Sequence, residues 1–271
     1  MQYEHSIKFV DCNLKTIACC TFAAMEEIQR EEWFKEWFNS PYYHLLYANR
    51  DAQEATFFLD HLISYLNPKK ESFMLDLACG RGRHAVYLNS KGFDVTGVDL
   101  SKESIRFASK HEKIDLQFFE HDMRQLLATN AFDYIFNLFT SFGYFDYESD
   151  NLRVVRNIAQ SLRKGGILIL DFLNVEKIRS KGFVDEEKYI EGIHFHIHRE
   201  INGNKVVKSI SFNDQNHDYL FEEKVMLLTQ SDFENYFKAC GLEVKAVFGN
   251  YQLDSFNLLE SDRLIYYVQK P

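Results

Sequence analysis

The sequence predicts an α/β protein: a parallel sheet with helices on both faces, carrying an antiparallel β insertion. Two observations carry this. Five short apolar runs, FMLDLA (73–78), FDVTGVDL (93–100), LQFFEHD (116–122), FDYIFNLF (132–139) and GILILDFL (166–173), have helical segments between most of them. Strands buried on both faces by crossover helices read in this way. From 178 to 229 the pattern changes to partly alternating runs joined by turn residues, with Asn202-Gly203 the strongest hairpin signal.

Ahead of the first strand, residues 26 to about 47 read as one aromatic helix, with Trp33/Trp37 and Phe34/Phe38 spaced i,i+4. A second helix spans 53–66. Within the parallel part, Gly92 closes the first crossover helix and Ser101 caps the second. Gly165-Gly166 stops the helix that carries Leu152, Val155, Ala159 and Leu162. Beyond the insertion, Ser231 and Glu234 predict a capping box for a helix ended by Gly241, and LEVKAVF and RLIYYVQK supply two last strands. The division expected is an N-terminal extension with the aromatic helix (1–41), the main domain (42–177 with 230–271), and the insertion (178–229) as a lid on the acceptor side.

The chain has 271 residues, 46% of them hydrophobic, enough for one large domain with an insertion. A formal charge of -9 argues against a broad basic surface, so a small molecule is the expected partner, with no nucleic acid and no membrane. Five cysteines without a C-x-x-C pair or zinc-like spacing suggest a reducing, cytoplasmic setting. Nothing in the sequence points to an oligomeric state.

In open parallel sheets, ligands bind beyond the carboxyl ends of the strands. Those ends carry Asp76 to Gly82, Asp99, Asp122 and Asn137. The stretch LDLACGRGRHA (75–85) has the Gly-x-Gly of a nucleotide-binding turn. A dinucleotide site sets such a turn against an anionic pyrophosphate, where a carboxylate is unwelcome; Asp76 therefore favours a cationic ligand without phosphate, such as S-adenosylmethionine. Asp99 has the oxygens for two ribose hydroxyls, and Asp122 could accept from an adenine amino group.

These blocks, LDLACGRGRHA, VTGVDLS, EHDMR, FDYIFNLFTSFGYF and LRKGGILILDFLN in this order, resemble the class I S-adenosylmethionine-dependent methyltransferases, particularly the small-molecule branch with the sugar N,N-dimethyltransferases. The resemblance covers about residues 42–271. It implies a Rossmann-like seven-stranded sheet and S-adenosylmethionine as cofactor. Asp76, Gly80 and Gly82, with Ala78 between them, would surround its methionine part. Asp99 with Leu100 would hold the ribose, and Asp122 and Met123 would frame the adenine. Asn137 ends the fourth strand beside them. The YANR stretch offers Tyr47 and Arg50 to close over the cofactor's carboxylate.

The reaction expected is in-line transfer of a methyl group to a small-molecule acceptor. The candidate bases are His121 and Tyr144, needed only if the acceptor must lose a proton. Alternatives are a nicotinamide-dependent oxidoreductase, or a binding module without turnover. His194, His196 and His198 share one strand face and read as a polar side rather than a metal site, so no metal is expected. With Arg199 they are expected to wall the acceptor cleft.

Overall fold

The computed structural model describes residues 33–47 and 52–271. Phe34–Pro271 form one compact unit, which carries the sheet and the site. In chain order its elements begin with α1 (Trp33–Asn39), α2 (Pro41–Leu46), α3 (Ala52–Leu66), β1 (Phe73–Leu77), α4 (Arg83–Ser90), β2 (Asp94–Asp99), α5 (Lys102–Ala108) and β3 (Leu116–Glu120). There follow β4 (Phe132–Asn137), α6 (Glu148–Ser161), β5 (Leu162–Leu173) and α7 (Val175–Lys181). Four strands come next: β6 (Val184–Ile190), β7 (Ile193–Asn202), β8 (Lys205–Asp214) and β9 (His217–Met226). The chain ends with α8 (Gln230–Ala239), β10 (Glu243–Phe248) and β11 (Arg263–Gln269).

Seven strands form one sheet in the order β3-β2-β1-β4-β5-β11-β10, and β6 to β9 form a separate sheet in sequence order. β11 runs antiparallel to both neighbours, while β1 to β5 pair in parallel. On one face, Phe58, Leu59 and Leu62 of α3 join Ala85 and Leu88 of α4 and Ile105 of α5 over Met74, Val95, Phe118 and Ile265. On the other, Phe233 of α8 packs on Phe142, Phe172 and Tyr266. Helices thus cover both faces, the arrangement that the buried strand runs imply. Among the described residues, no helix is long and apolar enough to cross a membrane.

Four local expectations need correction. The aromatic stretch is two helices, broken at Ser40: Pro41 disfavours helical geometry in the residue before it, and Ser40 (ψ 138°) instead caps α2 by accepting from Tyr42 N. Residues 26–32 of that stretch lie outside the described residues. α6 ends at Ser161, before Gly165-Gly166, because Leu162 turns extended and pairs with Phe132 of β4. Gly165, at φ +79°, then accompanies the register jump that brings Ile167 opposite Tyr134. The capping box belongs to Thr229 and Asp232, each side chain taking the other's backbone N–H. The β7–β8 hairpin exists, but Asn202 pairs with Lys205, so the turn is centred on Gly203-Asn204, with Gly203 at φ +60°.

Candidate functional site

The strand order reverses between β1 and β4, which makes the crevice at their carboxyl ends the place for a ligand. Two cavities meet there.

The first, about 100 Å³, is floored by Ala78, Gly80, Asp99, Leu100 and Met123, with His121 and Asp122 at its side. Ala78 (φ +64°) and Gly80 (φ +54°) carry the turn after β1 through left-handed conformations. A Cβ on Gly80 would meet nothing within 4 Å, so the missing side chain leaves an open cradle. Each Asp99 oxygen accepts one backbone N–H at 2.8 Å, from Gly80 and from Ser101. Burial raises the Asp99 carboxyl above its usual range against these bonds. Asp122 is gripped by the Arg124 guanidinium at 2.6–3.1 Å. Burial opposes its charge, but Arg124 outweighs that and the carboxyl falls below its usual value.

Phe34 and Phe38 of α1 and Tyr43 of α2 roof this cavity. Phe38 meets Tyr144 edge-on at 5.3 Å, and Ser101 Oγ donates to Phe38 O, tying α1 to the start of α5.

The second cavity is a cleft of about 670 Å³ between the two sheets. Phe139, Thr140, Tyr251 and Arg263 line it from the parallel-sheet side; Arg199, Val206, Lys208, Glu223 and Val225 line it from β7 to β9. Tyr144 borders both cavities and donates its hydroxyl to Thr140 O at 2.6 Å. The loop after β4 that carries these groups is strained: Phe139 and Thr140 both have positive φ, 57° and 60°. Asp171, fully buried, holds it by accepting from Phe139 N at 2.7 Å, while Arg263 bridges Asp171 and Thr140 Oγ1, each at 2.8 Å.

Of the residues picked from sequence, Ala78, Gly80, Asp99, Leu100, His121, Asp122, Met123 and Tyr144 come together around the first cavity. Asp76, Gly82, Asn137 and Tyr47 do not line it. Asp76 accepts from Ala85 N at 3.1 Å, holding the first turn of α4. Its burial lifts the carboxyl to about 7, and burial drops the neighbouring His84 to about 3. Gly82, at φ +83°, lets Phe118 approach to within 2.7 Å of where a Cβ would stand. Asn137 donates to Leu77 O and Ser141 O, bridging β1 to the strained loop; its buried Oδ1 has no partner among the described residues. Tyr47 donates to Glu223 Oε1 at 2.6 Å and also meets Lys208. Arg50 lies outside the described residues.

His194, His196 and His198 alternate with buried Phe195 and Ile197, and Arg199, on the parity of these two, lines the cleft. The histidine row therefore faces away from the cleft, which corrects the expectation that it walls it. The cross-strand Glu187 brings its ligating atoms within 4.8 Å of those of His194 and His196. Sequence reading missed three contributors: the aromatic roof, the Asp171–Arg263 pair and Glu223. For the last two the partners lie far apart in the chain, and no motif joins them.

Comparison with known proteins agrees with the geometry. Residues 74–166 match the family described as a methyltransferase domain. The chain is 28% identical over 211 residues to YqeM of Bacillus subtilis (strain 168), a candidate methyltransferase, covering 73% of this chain and 83% of that protein. It is 26% identical over 219 residues to the dTDP-3-amino-3,4,6-trideoxy-alpha-D-glucopyranose N,N-dimethyltransferase of Streptomyces venezuelae, covering 76% and 91%. The fold is shared with an S-adenosylmethionine-dependent methyltransferase from Clostridium acetobutylicum ATCC 824, with a TM-score of 0.71 at 21% identity over 93% of this chain and 98% of that one.

The residues present fit S-adenosylmethionine: an open cradle at Gly80, a carboxylate at the end of β2 and apolar side chains around them, with Arg81 and Arg83 of the turn lying over Phe107 and Phe139 rather than lining the cavity. The fold is that of S-adenosylmethionine-dependent methyltransferases of known structure, and residues 74–166 match a methyltransferase domain. The chain's sequence relatives include the amino-sugar dimethyltransferase above.

Proposed function

We propose that this enzyme transfers the sulfonium methyl of S-adenosylmethionine to an amine on a small polar acceptor seated in the larger cleft. The observation that carries this reading is Tyr144, which borders both cavities, so that ligands in the two would meet at its ring. The name of the Streptomyces venezuelae relative, an N,N-dimethyltransferase, supports nitrogen as the acceptor atom.

The cofactor supplies the reactive methyl when bound; the chain's own residues bind, orient and exclude water. Asp99 keeps acceptor capacity beyond its two backbone bonds and is assigned to the ribose hydroxyls. Gly80 admits the ligand backbone-close, Ala78 and Leu100 line it, and Asp122 and Met123 are assigned to the adenine side. Asp76, Gly82 and Asn137 are assigned to holding the turn and the crevice in shape rather than to touching the ligand. A cavity of about 100 Å³ is small beside the roughly 300 Å³ or more of ligand pockets, so the roof of α1 and α2 must lift to admit the cofactor and then close over it. Tyr47 is assigned to that closure, through Glu223. His121 borders only the cofactor cavity, which favours a neutral amine attacking without a base; Tyr144 then orients the acceptor. Residues 178–229 are read as the acceptor-side insertion. An acidic chain whose cysteines show no C-x-x-C spacing supports a cytoplasmic enzyme without nucleic-acid or membrane partners.

The test is release of S-adenosylhomocysteine over a panel of amine, hydroxyl and carboxyl metabolites. Amines are expected to raise release above the acceptor-free rate. Cofactor binding with no release from any acceptor would favour a binding module.

A further inference from the structure

The inner face of the antiparallel sheet carries one cross-strand row that lines the cleft. Arg199 of β7 stands directly opposite Lys208 of β8, and Lys208 directly opposite Glu223 of β9. Like charges in adjacent cross-strand positions are destabilising unless something neutralises them. Glu223 lies 3.4 Å from Lys208 and its other oxygen takes the Trp37 and Tyr47 donors, so its charge is committed on the Lys208 side. The Arg199 side chain has no ion pair or hydrogen bond among the described residues, although it is half-buried. Its sequence neighbours His198 and Glu200 pair with each other on the opposite face. Elsewhere in the cleft the other guanidinium, Arg263, is matched by the buried Asp171. The row therefore holds two cations and one carboxylate; of the other acids that line the cleft, Asp262 lies 3.6 Å from Lys177, and neither it nor Glu54 forms an ion pair with Arg199, whose charge faces the space assigned above to the acceptor.

A half-enclosed guanidinium left without a counter-charge is suited to a carboxylate or phosphate, which it can grip through two parallel N–H bonds. Resting on the methyltransferase reading of this site, we propose that Arg199 binds an anionic group of the methyl acceptor, so that the substrate is an amine carrying a carboxylate or phosphate. Arg199 thereby selects the acceptor through a group remote from the attacked methyl and takes no part in the transfer.

The test is calorimetric titration of the full chain with malonate and, separately, inorganic pyrophosphate. It is done at matched ionic strength, with and without saturating S-adenosylhomocysteine. The wild-type chain is expected to bind at least one of the two, and which one it prefers distinguishes a carboxylate from a phosphate source. Arg199→Ala and Arg199→Gln should each weaken that binding about tenfold or more, and Arg199→Lys should recover part of it. Affinity for S-adenosylhomocysteine should stay unchanged in all three variants. Equal anion affinity in the wild type and Arg199→Ala, or no binding of either probe, would overturn the proposal. Failure of S-adenosylhomocysteine to bind, with anion binding still dependent on Arg199, would count against the methyltransferase reading alone.

Discussion

Asp99 is tied at both oxygens, to Gly80 N and Ser101 N, yet faces the cofactor cavity. If Asp99 holds the ribose as proposed, Asp99→Ala removes those charge-assisted bonds and loosens the Gly80 turn, so cofactor affinity should fall by about 2–4 kcal/mol. Calorimetry checks this, and unchanged affinity would remove Asp99 from the site. Asp76 and His84 make a second residue-scale prediction. Between 3.8 and about 7 the folded chain keeps a proton on Asp76 that the unfolded chain has lost, so this group's contribution to stability falls as pH rises. Between about 3 and 6.5 the unfolded chain protonates His84 and the folded chain does not, so that contribution rises with pH. The slopes oppose each other where the windows overlap. Asp76→Asn deletes the first, so its Tm should climb more steeply than that of the wild type from pH 4.5 to 6.5; parallel curves would contradict the assignment. At this scale the sequence indicated which residues gather at the strand ends, because position on a strand and the Gly-x-Gly turn are local properties. It did not indicate where side chains turn: Asp76 and Asn137 stand at strand ends and point into the scaffold.

Among the elements, β2 and β3 are locked by Gly97, which stands opposite Phe118 in register. A Cβ there would lie 2.5 Å from the buried Phe118 ring and 3.1 Å from Cys79 Sγ. Gly97→Ala should therefore destabilise the fold by about 1–3 kcal/mol in chemical denaturation, as overpacking does; wild-type stability would mean that the ring yields freely. The roof of α1 and α2 hangs on Glu223, which takes Trp37 Nε1 at 2.8 Å and the Tyr47 hydroxyl at 2.6 Å. Glu223→Ala should raise amide exchange across 34–47 and weaken cofactor binding. Unchanged exchange would show that ring packing alone holds the roof. Strands and crossover helices were readable because burial on two faces leaves apolar runs of a length that few other structures share. The latch was not: its partners lie 186 and 176 residues apart, and only the tertiary fold brings them together. The break at Ser40 was signalled by Pro41, against an aromatic spacing that runs on through it.

For the molecule as a whole, the seven-stranded sheet supplies the cofactor crevice and the four-stranded sheet walls the adjoining cleft. Strand parity placed His194, His196 and His198 on one face and Phe195 and Ile197 on the other, but parity cannot say which face meets the cleft. That depends on how the insertion docks, and the structure turns Arg199 inward. The crevice between β1 and β4 is assigned above to S-adenosylmethionine. Calorimetric titration of the full chain with S-adenosylmethionine, S-adenosylhomocysteine and NADH, side by side, tests this assignment most directly. The two sulfur ligands are expected to saturate a single site on each chain while NADH gives no heat beyond dilution; saturable binding of NADH with neither sulfur ligand bound would contradict it.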